Sequence, residues 1–252
     1  MKKILFITLT ASLLFSCKED DVLVPTSFHI DENPVNIVAN GETKVLEVKT
    51  NASDVSLVPS EAQWCKITFE GGKLTVVAES NNSLAARETS IELVTPDRNL
   101  PITIIQAGQP TIRLEVAEAE ASSFQEGEGI DKSFDNDYTT IYHSSWSKLD
   151  DQYELIYYLK DAPSVALISY YPRPNGGNGT FGNIEILASS IDSPDNFIKI
   201  MDYPCDPKAK SVTHIELPVF FMKPYAIKII VDGGTSRGGF AACSEMEFYG
   251  VE

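Results

Sequence analysis

Histidine is scarce in this chain, and its spacing excludes one large class of enzymes. The 252 residues include only His29, His143 and His214, which lie far apart in the sequence. A zinc-peptidase helix needs two histidines four residues apart, so no such motif exists here. A Walker phosphate-binding loop is also missing, because no Gly-Lys pair is followed by serine or threonine. These absences point away from metallopeptidase and nucleotide-hydrolysing functions.

Cysteine is also rare, and its count excludes a complete disulfide framework. Besides Cys17, the chain has Cys65, Cys205 and Cys243, an odd number that cannot pair fully. The domains must therefore be held together mainly by packing. Cys205 and Cys243 fall in the same half of the chain, which leaves two alternatives open. They form a bridge, or they are independent thiols with Cys243 buried.

Only one long apolar run occurs, and it is too short to cross a bilayer. It covers residues 4–15 and follows two lysines. This is the pattern of a secretory signal, and Ser16 before Cys17 ends it as a lipobox does. We therefore predict a signal peptide over residues 1–16, an acylated Cys17 and a linker over residues 17–27. The result would be an outer-membrane lipoprotein, with a plain signal peptide as the alternative.

The segment Lys18-Glu19-Asp20-Asp21 directly follows that cysteine. A lysine with acidic residues at this place resembles the surface-export signal of Bacteroidetes lipoproteins. The resemblance implies exposure on the cell surface. The alternative is a solvated tether with no sorting role.

Acidic residues outnumber basic ones. Asp and Glu number 36 against 20 Lys and Arg, a formal net charge of −16. Removing residues 1–16 takes away two lysines and no acid, which leaves 18 basic residues and a balance of −18. Such a surface repels nucleic acid and anionic lipid head groups, so neither is expected as a partner. The same carboxylates supply oxygen ligands that suit calcium.

No segment has a sustained helical period, and short alternating strands take its place. Residues 44–49, 64–69 and 74–78 alternate between apolar and polar side chains. Gly71-Gly72 separates the last two of these segments, as a tight hairpin requires. Closely spaced strands with glycine and proline turns predict an all-β chain. Its first domain, residues 28–108, is predicted to be a small β-sandwich.

This first domain resembles the BACON module of Bacteroidetes surface proteins. The resemblance rests on Trp64, on Arg87-Glu88-Thr89-Ser90-Ile91 and on Ile104-Ile105-Gln106-Ala107-Gly108, in that order. It implies an immunoglobulin-like sandwich. The family name refers to carbohydrate, but many such modules serve as spacers, and no cluster of exposed aromatic residues is evident here. We therefore expect a spacer with Trp64 in its core.

The second half of the chain has two signatures about a hundred residues apart. One is the loop from Phe134 to Trp146, and the other is the segment from Phe240 to Gly250 that contains the last predicted strand. With Tyr171-Pro172-Arg173 and Asn178-Gly179 between them, they resemble the discoidin-like domains (coagulation factor type C, galactose-binding-like). The resemblance covers residues 111–252 and implies a jelly-roll β-sandwich that is used largely for binding.

The resemblance also implies a structural calcium ion between the early loop and the last strand. Its ligands would be the oxygens of Asp135, Asp137, Thr140, Ser244 and Glu245, with Ser244 contributing its carbonyl. Oxygen-only ligands with several carboxylates suit calcium better than a transition metal. The alternative is a hydrogen-bonded acidic turn that needs no ion.

The galactose-binding relatives imply a ligand site as well. A histidine, an arginine and an asparagine bind sugar hydroxyls there, and aromatic residues form the pocket wall. The matching positions in this chain are His143, Trp146, Arg173, Asn178 and Phe240. Asn183 is an alternative to Asn178, because the loop over residues 175–183 is rich in glycine and asparagine. The alternative for the whole set is structural, with the loop residues bracing one another.

The expected function is glycan binding without catalysis. We predict a cell-surface, lipid-anchored protein whose discoidin-like module binds galactose or N-acetylgalactosamine glycans. The alternative is a protein-binding or structural module of an outer-membrane complex. Glu126, Glu128 and Asp131 have the residue types of a glycosidase pair, but the resembled fold rarely hosts catalysis. No enzymatic activity is therefore expected.

Overall fold

The structure, a computed structural model, describes residues 24–174 and 176–251. The predicted signal peptide (residues 1–16), the lipidation site Cys17 and most of the predicted linker lie outside the described residues. They stay predictions. Within the described ranges, no helix is long and apolar enough to cross a membrane.

Nearly all regular structure in the described residues is β, so the predicted all-β class is confirmed. The exceptions are two short 3-10 helices, Ile130–Ser133 and Arg237–Gly239. The first half of the chain contains β1 (Phe28–Ile30), β2 (Val35–Ile37), β3 (Thr43–Thr50), β4 (Ser56–Val58), β5 (Cys65–Glu70), β6 (Lys73–Ala78), β7 (Arg87–Val94) and β8 (Asn99–Gln106). The second half contains β9 (Ile112–Arg113), β10 (Val116–Ala121), β11 (Tyr142–His143), β12 (Gln152–Leu159), β13 (Ser164–Tyr171), β14 (Asn183–Ser190), β15 (Ser193–Pro204), β16 (Thr213–Met222), β17 (Pro224–Asp232), β18 (Ala242–Cys243) and β19 (Glu245–Gly250).

Strands β1 to β8 form two four-stranded sheets around an aliphatic core. The sheet orders are β1-β3-β6-β5 and β2-β8-β7-β4. Strands β2 and β8 run parallel, and the other neighbours run antiparallel. Alternate residues of these strands point inward, and the most buried are Val35, Leu74, Val76, Leu93, Ile102 and Ile104. Trp64 packs against this core and is half-buried, with the Arg87 guanidinium 4.6 Å from its ring centroid.

The predicted hairpin between β5 and β6 is confirmed. Gly71 and Gly72 form its turn, and their φ angles are +57° and +76°. Two successive left-handed residues give a turn whose twist matches that of the flanking strands. Glycine adopts this conformation without the steric cost that a Cβ would bring.

Strands β9 to β19 form a second sandwich around a separate core. A five-stranded sheet, β10-β12-β17-β14-β15, and a four-stranded sheet, β16-β13-β19-β9, share this core. Strands β11 and β18 pair as a two-stranded sheet. Neighbours in these antiparallel sheets are often distant in the chain, as in a jelly roll, so the predicted fold is confirmed. The chain passes between the two cores across residues 107–111, and the predicted domain limits stay predictions.

Buried tyrosines distinguish the second core. Four of them have no exposed surface: Tyr142, Tyr153, Tyr157 and Tyr170. Because a buried hydroxyl needs a partner, each reaches out to a loop or strand. The Tyr142 hydroxyl donates to the Ser123 carbonyl at 2.8 Å, and the Tyr153 hydroxyl donates to the Gly239 carbonyl at 2.8 Å. These bonds fix the loops at one end of the sandwich to its core.

Besides the two-residue strands β11 and β18, the sequence pattern missed two longer strands of the second sandwich, β10 and β15. Strand β10 reads Val-Ala-Glu-Ala-Glu-Ala, which favours helix, and the twelve-residue β15 has prolines near both ends. Both are edge strands of the five-stranded sheet. Pairing with β12 and β14 on one side overrides their weak local preference for β structure.

The described cysteines, Cys65, Cys205 and Cys243, are buried free thiols. Cys205 and Cys243 therefore do not form a disulfide bond, and the alternative of independent thiols is confirmed. Burial raises the pKa of the Cys205 thiol to about 12, so that group is protonated and weakly nucleophilic at neutral pH.

Candidate functional site

Two segments that are far apart in the sequence meet at one end of the second sandwich. Strand β11 of the early loop pairs with β18, with Tyr142 opposite Cys243 and His143 opposite Ala242. The early loop and the segment before the last strand therefore lie side by side. The two signatures noted in the sequence belong to one surface.

Three polar side chains from different segments converge beside these strands. Arg173 follows β13, and its Nη1 donates to Asn178 Oδ1 at 3.0 Å. The Nε2 atom of His143 lies 3.3 Å from the same oxygen. Asn183 instead begins β14, where its backbone N–H donates to Thr235 Oγ1 at 2.8 Å. The structure thus groups Asn178, and not Asn183, with His143 and Arg173.

Two aromatic side chains flank His143. The Phe240 ring lies 5.4 Å from the imidazole, centroid to centroid, and the Trp146 ring lies 6.1 Å away at 90°. Trp146 is 61% exposed, whereas Phe240 is half-buried. The backbone N–H of Trp146 donates to Gln125 Oε1 at 3.1 Å, which holds this part of the loop. All five residues predicted for the ligand site are therefore neighbours.

His143 itself has no exposed surface. Its Nδ1 lies 2.6 Å from the Ser144 carbonyl oxygen, which can only accept, so Nδ1 carries the ring proton. In the neutral ring, Nε2 then presents a lone pair to Asn178 Oδ1, which is also an acceptor. The two atoms form a hydrogen bond only when Nε2 also carries a proton or the Asn178 amide turns an N–H towards the ring.

The loop that carries Asn178 depends on two glycines. A Cβ on Gly177 would lie 2.9 Å from Arg173 Nε and would displace the guanidinium. Gly179 has a φ of +90°, and a Cβ there would lie 2.5 Å from the Ala242 Cβ. Glycine at these positions lets the loop lie directly against Arg173 and β18.

The early loop folds around Asp135. Its Oδ1 accepts the Asp137 backbone N–H at 2.9 Å, and Thr140 Oγ1 donates to its Oδ2 at 2.9 Å. The Asp137 carboxylate turns instead to Thr139, whose N–H donates to Oδ1 at 2.9 Å. The Asp137 carbonyl accepts from the Thr140 backbone N–H at 3.0 Å, and the Thr140 hydroxyl oxygen lies 3.0 Å from the same carbonyl oxygen. Asp135 and Thr140 thus lie together, and Asp137 meets Thr140 through its carbonyl.

Glu245, at the start of β19, is a buried carboxylate without a partner. It has no exposed surface, and neither side-chain oxygen has a hydrogen-bond donor. Burial raises the pKa of Glu245 to about 7, with the negative charge of Asp135 adding to the shift and the nearby Asn136 backbone N–H opposing it. The preceding Ser244 is fixed by its N–H, which donates to the Tyr171 carbonyl at 2.9 Å. A buried charge needs compensation, so this carboxylate requires a proton or a cation.

Glu247, two residues further along β19, is also buried but has four partners. Three tyrosine hydroxyls donate to it at 2.5 to 3.0 Å and one guanidinium lies 3.2 Å away, from Tyr138, Tyr249, Tyr171 and Arg113. Although burial opposes the charged form, the tyrosine hydrogen bonds lower the pKa of Glu247. The contrast singles out Glu245. The sequence pattern missed this cluster because its members come from separate strands and loops.

Acidic, imidazole and thiol side chains do not by themselves make a metal site in the described ranges. No three of them lie close enough together to hold an ion there. A cation beside Glu245 would therefore also need hydroxyl and carbonyl oxygens. Calcium accepts both kinds of ligand, and the early loop offers the Thr140 hydroxyl and the Asp137 carbonyl beside Asp135.

Features that look enzymatic in the sequence have a different setting in the structure. Residues 177–182 and 234–238 match, letter by letter, a dinucleotide-binding and a hydrolase glycine pattern. The first leads into strand β14 and the second into a three-residue 3-10 helix, whereas both motifs need a strand followed by a longer helix. Glu126 and Asp131, two of the residues considered for a glycosidase, are exposed, and Glu128 is half-buried.

Part of the first sandwich matches a known family model. Residues 48–107 match BACON, whose description is "Putative binding domain, N-terminal". The match runs from β3 to the residue after β8.

Several solved structures are similar to part of this chain. The family 32 carbohydrate-binding module of Clostridium perfringens NanJ, solved with galactose, is 22% identical and has a TM-score of 0.48 over 55% of this chain and 99% of its own. A C. perfringens CBM32 module, solved with GalNAc-β-1,3-galactose, is 20% identical, with a TM-score of 0.46 over 52% of this chain and 93% of its own. The C-terminal domain of a Bacteroides fragilis chitobiase is 21% identical, with a TM-score of 0.46 over 56% of this chain and 99% of its own.

Proposed function

We propose that this protein is a cell-surface, lipid-anchored glycan-binding protein whose second sandwich binds galactose or N-acetylgalactosamine glycans without catalysis. The observation that carries the proposal is the group of Arg173, Asn178 and His143 beside Trp146 and Phe240. Sugar recognition needs this combination, because a pyranose has an apolar C–H face and a rim of directional hydroxyls.

The polar group can bind neighbouring hydroxyls of one sugar. Arg173 has five N–H donors in a planar fork, of which Nη1 bonds to Asn178, so the others can reach two vicinal hydroxyl oxygens. Asn178 can donate and accept. The His143 Nε2 lone pair accepts from a hydroxyl once the Asn178 side chain turns. Each sugar hydroxyl thus has a protein group that can donate a hydrogen bond to it or accept one from it.

The aromatic side chains supply the apolar part of the site. The Trp146 ring is largely exposed and stands at 90° to the buried imidazole. A C–H face of the sugar that covers this ring removes apolar surface from water. With one ring and a few hydrogen bonds, we expect a dissociation constant in the micromolar to millimolar range, about −4 to −8 kcal/mol.

We also propose a calcium ion in the early loop, with Asp135, Thr140 and Glu245 holding it through side-chain oxygens and Asp137 and Ser244 through carbonyls. The support is the buried Glu245 carboxylate, both oxygens of which lack a partner. The ion would supply charge compensation and no chemistry. Because the same loop continues into β11 and on to Trp146, neutralising Glu245 would also stabilise the ligand site.

The lipid anchor and the spacer complete the proposal. Cys17 would be acylated, the chain would reside in the outer membrane, and the first sandwich would hold the second away from the lipid. Support for the anchor comes from the apolar run and lipobox in the sequence. Metabolic labelling with palmitate tests it, since Cys17→Ala should remove the label and Cys65→Ala should not.

Isothermal titration calorimetry of the full chain tests the ligand site. The parent should bind a galactoside or N-acetylgalactosaminide, and Arg173→Ala and Phe240→Ala should each weaken binding about tenfold or more. Matched controls are Lys223→Ala and Tyr225→Ala, which change a basic and an aromatic side chain in and beside β17, remote from the Arg173 loop. Melting curves establish that all four variants fold. If Arg173→Ala and Phe240→Ala keep the parent affinity, the site lies elsewhere.

One observation favours protein docking as a second candidate function. Ile191 and Met222 are 53% and 60% exposed, and the Ile191 N–H donates to the Lys223 carbonyl at 3.0 Å, which places them on adjacent hairpins. They lie at the end of β14 that is opposite to Asn183. If this patch docks a polypeptide, Met222→Lys should release the partner while glycan binding persists.

A further inference from the structure

The basic side chains of the second sandwich fall into two groups. Six form ion pairs with carboxylates: Arg113, Lys132, Lys148, Lys160, Lys199 and Lys228. In the described part of the chain from Thr111 onward, five have no such pair: Arg173, Lys208, Lys210, Lys223 and Arg237. Of these five, Arg173 belongs to the proposed ligand site, and Lys208, Lys210 and Arg237 line one groove. In so acidic a chain, this concentration of unpaired cations requires an explanation.

Three of the unpaired cations line one open groove. Lys208, Lys210 and Arg237 enclose a volume of about 460 Å³ together with Pro207 and Thr235. All three basic side chains are exposed, and the residues that line the groove include no carboxylate. Asp206 lies at its edge, where its Oδ1 accepts the Lys208 backbone N–H at 2.9 Å. With three cations and one neighbouring carboxylate, the groove carries a local positive excess on a chain whose net charge is −16.

The groove adjoins the proposed galactose site through the glycine loop. The Arg237 backbone pairs with that loop, since the Gly179 N–H donates to the Arg237 carbonyl at 2.7 Å. A Cβ on Gly176 would lie 3.4 Å from Arg237 Nη1, and one on Gly177 would lie 2.9 Å from Arg173 Nε. The two guanidinium groups thus flank two successive glycines. A ligand that contacts Arg173 can extend over this loop to Arg237.

Clustered cations repel one another, so they bind an anion more tightly than any one of them would alone. Arginine is suited to this task, because its planar N–H fork matches two oxygens of a carboxylate or a sulfate-like oxyanion. A lysine ammonium adds a compact positive charge on a flexible side chain. The hydroxyls of a neutral sugar would not compensate the positive charge of these side chains.

We propose that the glycan bound by this protein is anionic. Its galactose-type ring would occupy the site of Arg173 and Asn178, and an oxyanion on the same glycan would bind in the groove of Lys208, Lys210 and Arg237. The oxyanion is a sulfate ester on the sugar or the carboxylate of a neighbouring acidic sugar, which share this chemistry. The inference rests on the proposed function and names the class of ligand for it.

Calorimetry of the full chain with matched ligands tests the inference. The ligands are lactose, lactose sulfated on its galactose, and lactose capped by a sialic acid, each at about 50 mM and 500 mM salt. We expect at least one charged ligand to bind about tenfold more tightly than lactose at low salt, and to lose most of that advantage at high salt. Preference for the sulfated or the sialylated ligand identifies the oxyanion.

Charge-removing variants place the effect in the groove. Arg237→Gln and the double change Lys208→Gln, Lys210→Gln should abolish the preference and leave lactose affinity within about twofold. Lys223→Gln is the matched control and should keep the preference. Lactose binding by each variant establishes that its sugar site is intact.

Each result is decisive. If lactose binds in an Arg173-dependent way but the charged ligands bind no better, the inference is wrong and the proposed function stands. If the preference survives in the Arg237 and double-lysine variants, the groove is not its source and the inference is also wrong. If none of the three ligands binds, the inference is wrong, and the proposed function also fails if an N-acetylgalactosaminide does not bind in the same calorimeter experiment.

Discussion

The two sandwiches of this protein are both antiparallel for the most part, but their interiors differ in chemistry. The core of the first consists of aliphatic side chains from Val35 to Ile104, and Trp64 only packs against it from the side. The core of the second contains fully buried tyrosines and phenylalanines, such as Tyr157 and Phe248. The second also buries ionisable groups, notably His143, Glu245 and Glu247.

This difference shows in which part of the molecule ionisable side chains are buried. A buried carboxylate or imidazole opposes folding unless it has a partner, so such groups persist where a site needs them. In the second sandwich they lie at the loop end, beside the proposed sugar and calcium sites. In the first sandwich, the most buried polar side chain, Gln106, bonds only to its own sandwich.

If the two cores are independent, a large cavity in one should leave the other folded. We expect Phe248→Ala to destabilise the second sandwich by about 3–5 kcal/mol, because a fully buried ring is lost. Trp64 reports on the first sandwich and Trp146 on the second, so fluorescence of single-tryptophan variants separates the two transitions. Leu74→Ala is the reciprocal control in the first core. Transitions that shift together in both variants would show one cooperative unit.

Calcium should affect the second sandwich only. At a calcium concentration about a hundredfold above its dissociation constant, the ion should stabilise this sandwich by about 2.7 kcal/mol, which is several degrees in melting temperature. Differential scanning calorimetry with calcium or a chelator measures the shift. Glu245→Gln should abolish the response, whereas Glu126→Gln, at an exposed carboxylate, should retain it. If the chelator leaves the melting temperature of the parent protein unchanged, that result contradicts the proposed ion.

The buried amide of the first sandwich should matter only for that sandwich. Gln106 Nε2 donates to the carbonyls of Val38, Ala39 and Glu79 at 2.8 to 3.2 Å. Gln106→Ala removes these hydrogen bonds, although each carbonyl keeps one other donor, from Gly41, Asn81 or Arg87. We expect a loss of about 1–3 kcal/mol. Urea denaturation followed through Trp64 measures it. Gln63→Ala, on the surface of the same sandwich, is the control and should change stability little.

The smallest expected effect is a pH dependence confined to the first sandwich. Hydrogen bonds from the Thr26 hydroxyl and backbone N–H lower the pKa of Asp97 to about 2. Because the folded pKa lies below the usual value of about 4, the contribution of this carboxylate is present above pH 4 and is lost as the pH falls towards 2. Melting temperatures of the parent and Asp97→Asn should converge across that window. A constant difference from pH 5 to pH 2 would contradict this.

Local patterning was sufficient for much of the fold. Alternation at period two predicts strands close to β3, β5 and β6, because each of these strands has one more buried and one more exposed face. It fails for edge strands such as β15, whose residues are mostly exposed and therefore carry no alternating signal. The resemblance to discoidin-like domains brought the five ligand-site residues together, but it could not predict that His143 is covered.

The sequence by itself determined the all-β class, the acidic surface and the residue types available at the loop end, because these depend on composition and on the chemistry of neighbouring positions. Only the tertiary structure decided that Glu245 lacks a partner while Glu247 has four, since those partners come from separate strands and loops. It likewise decided that the unpaired cations Arg173 and Arg237 flank one glycine loop. Charge compensation depends on distances of a few ångströms, and folding sets those distances between residues that are far apart in the chain.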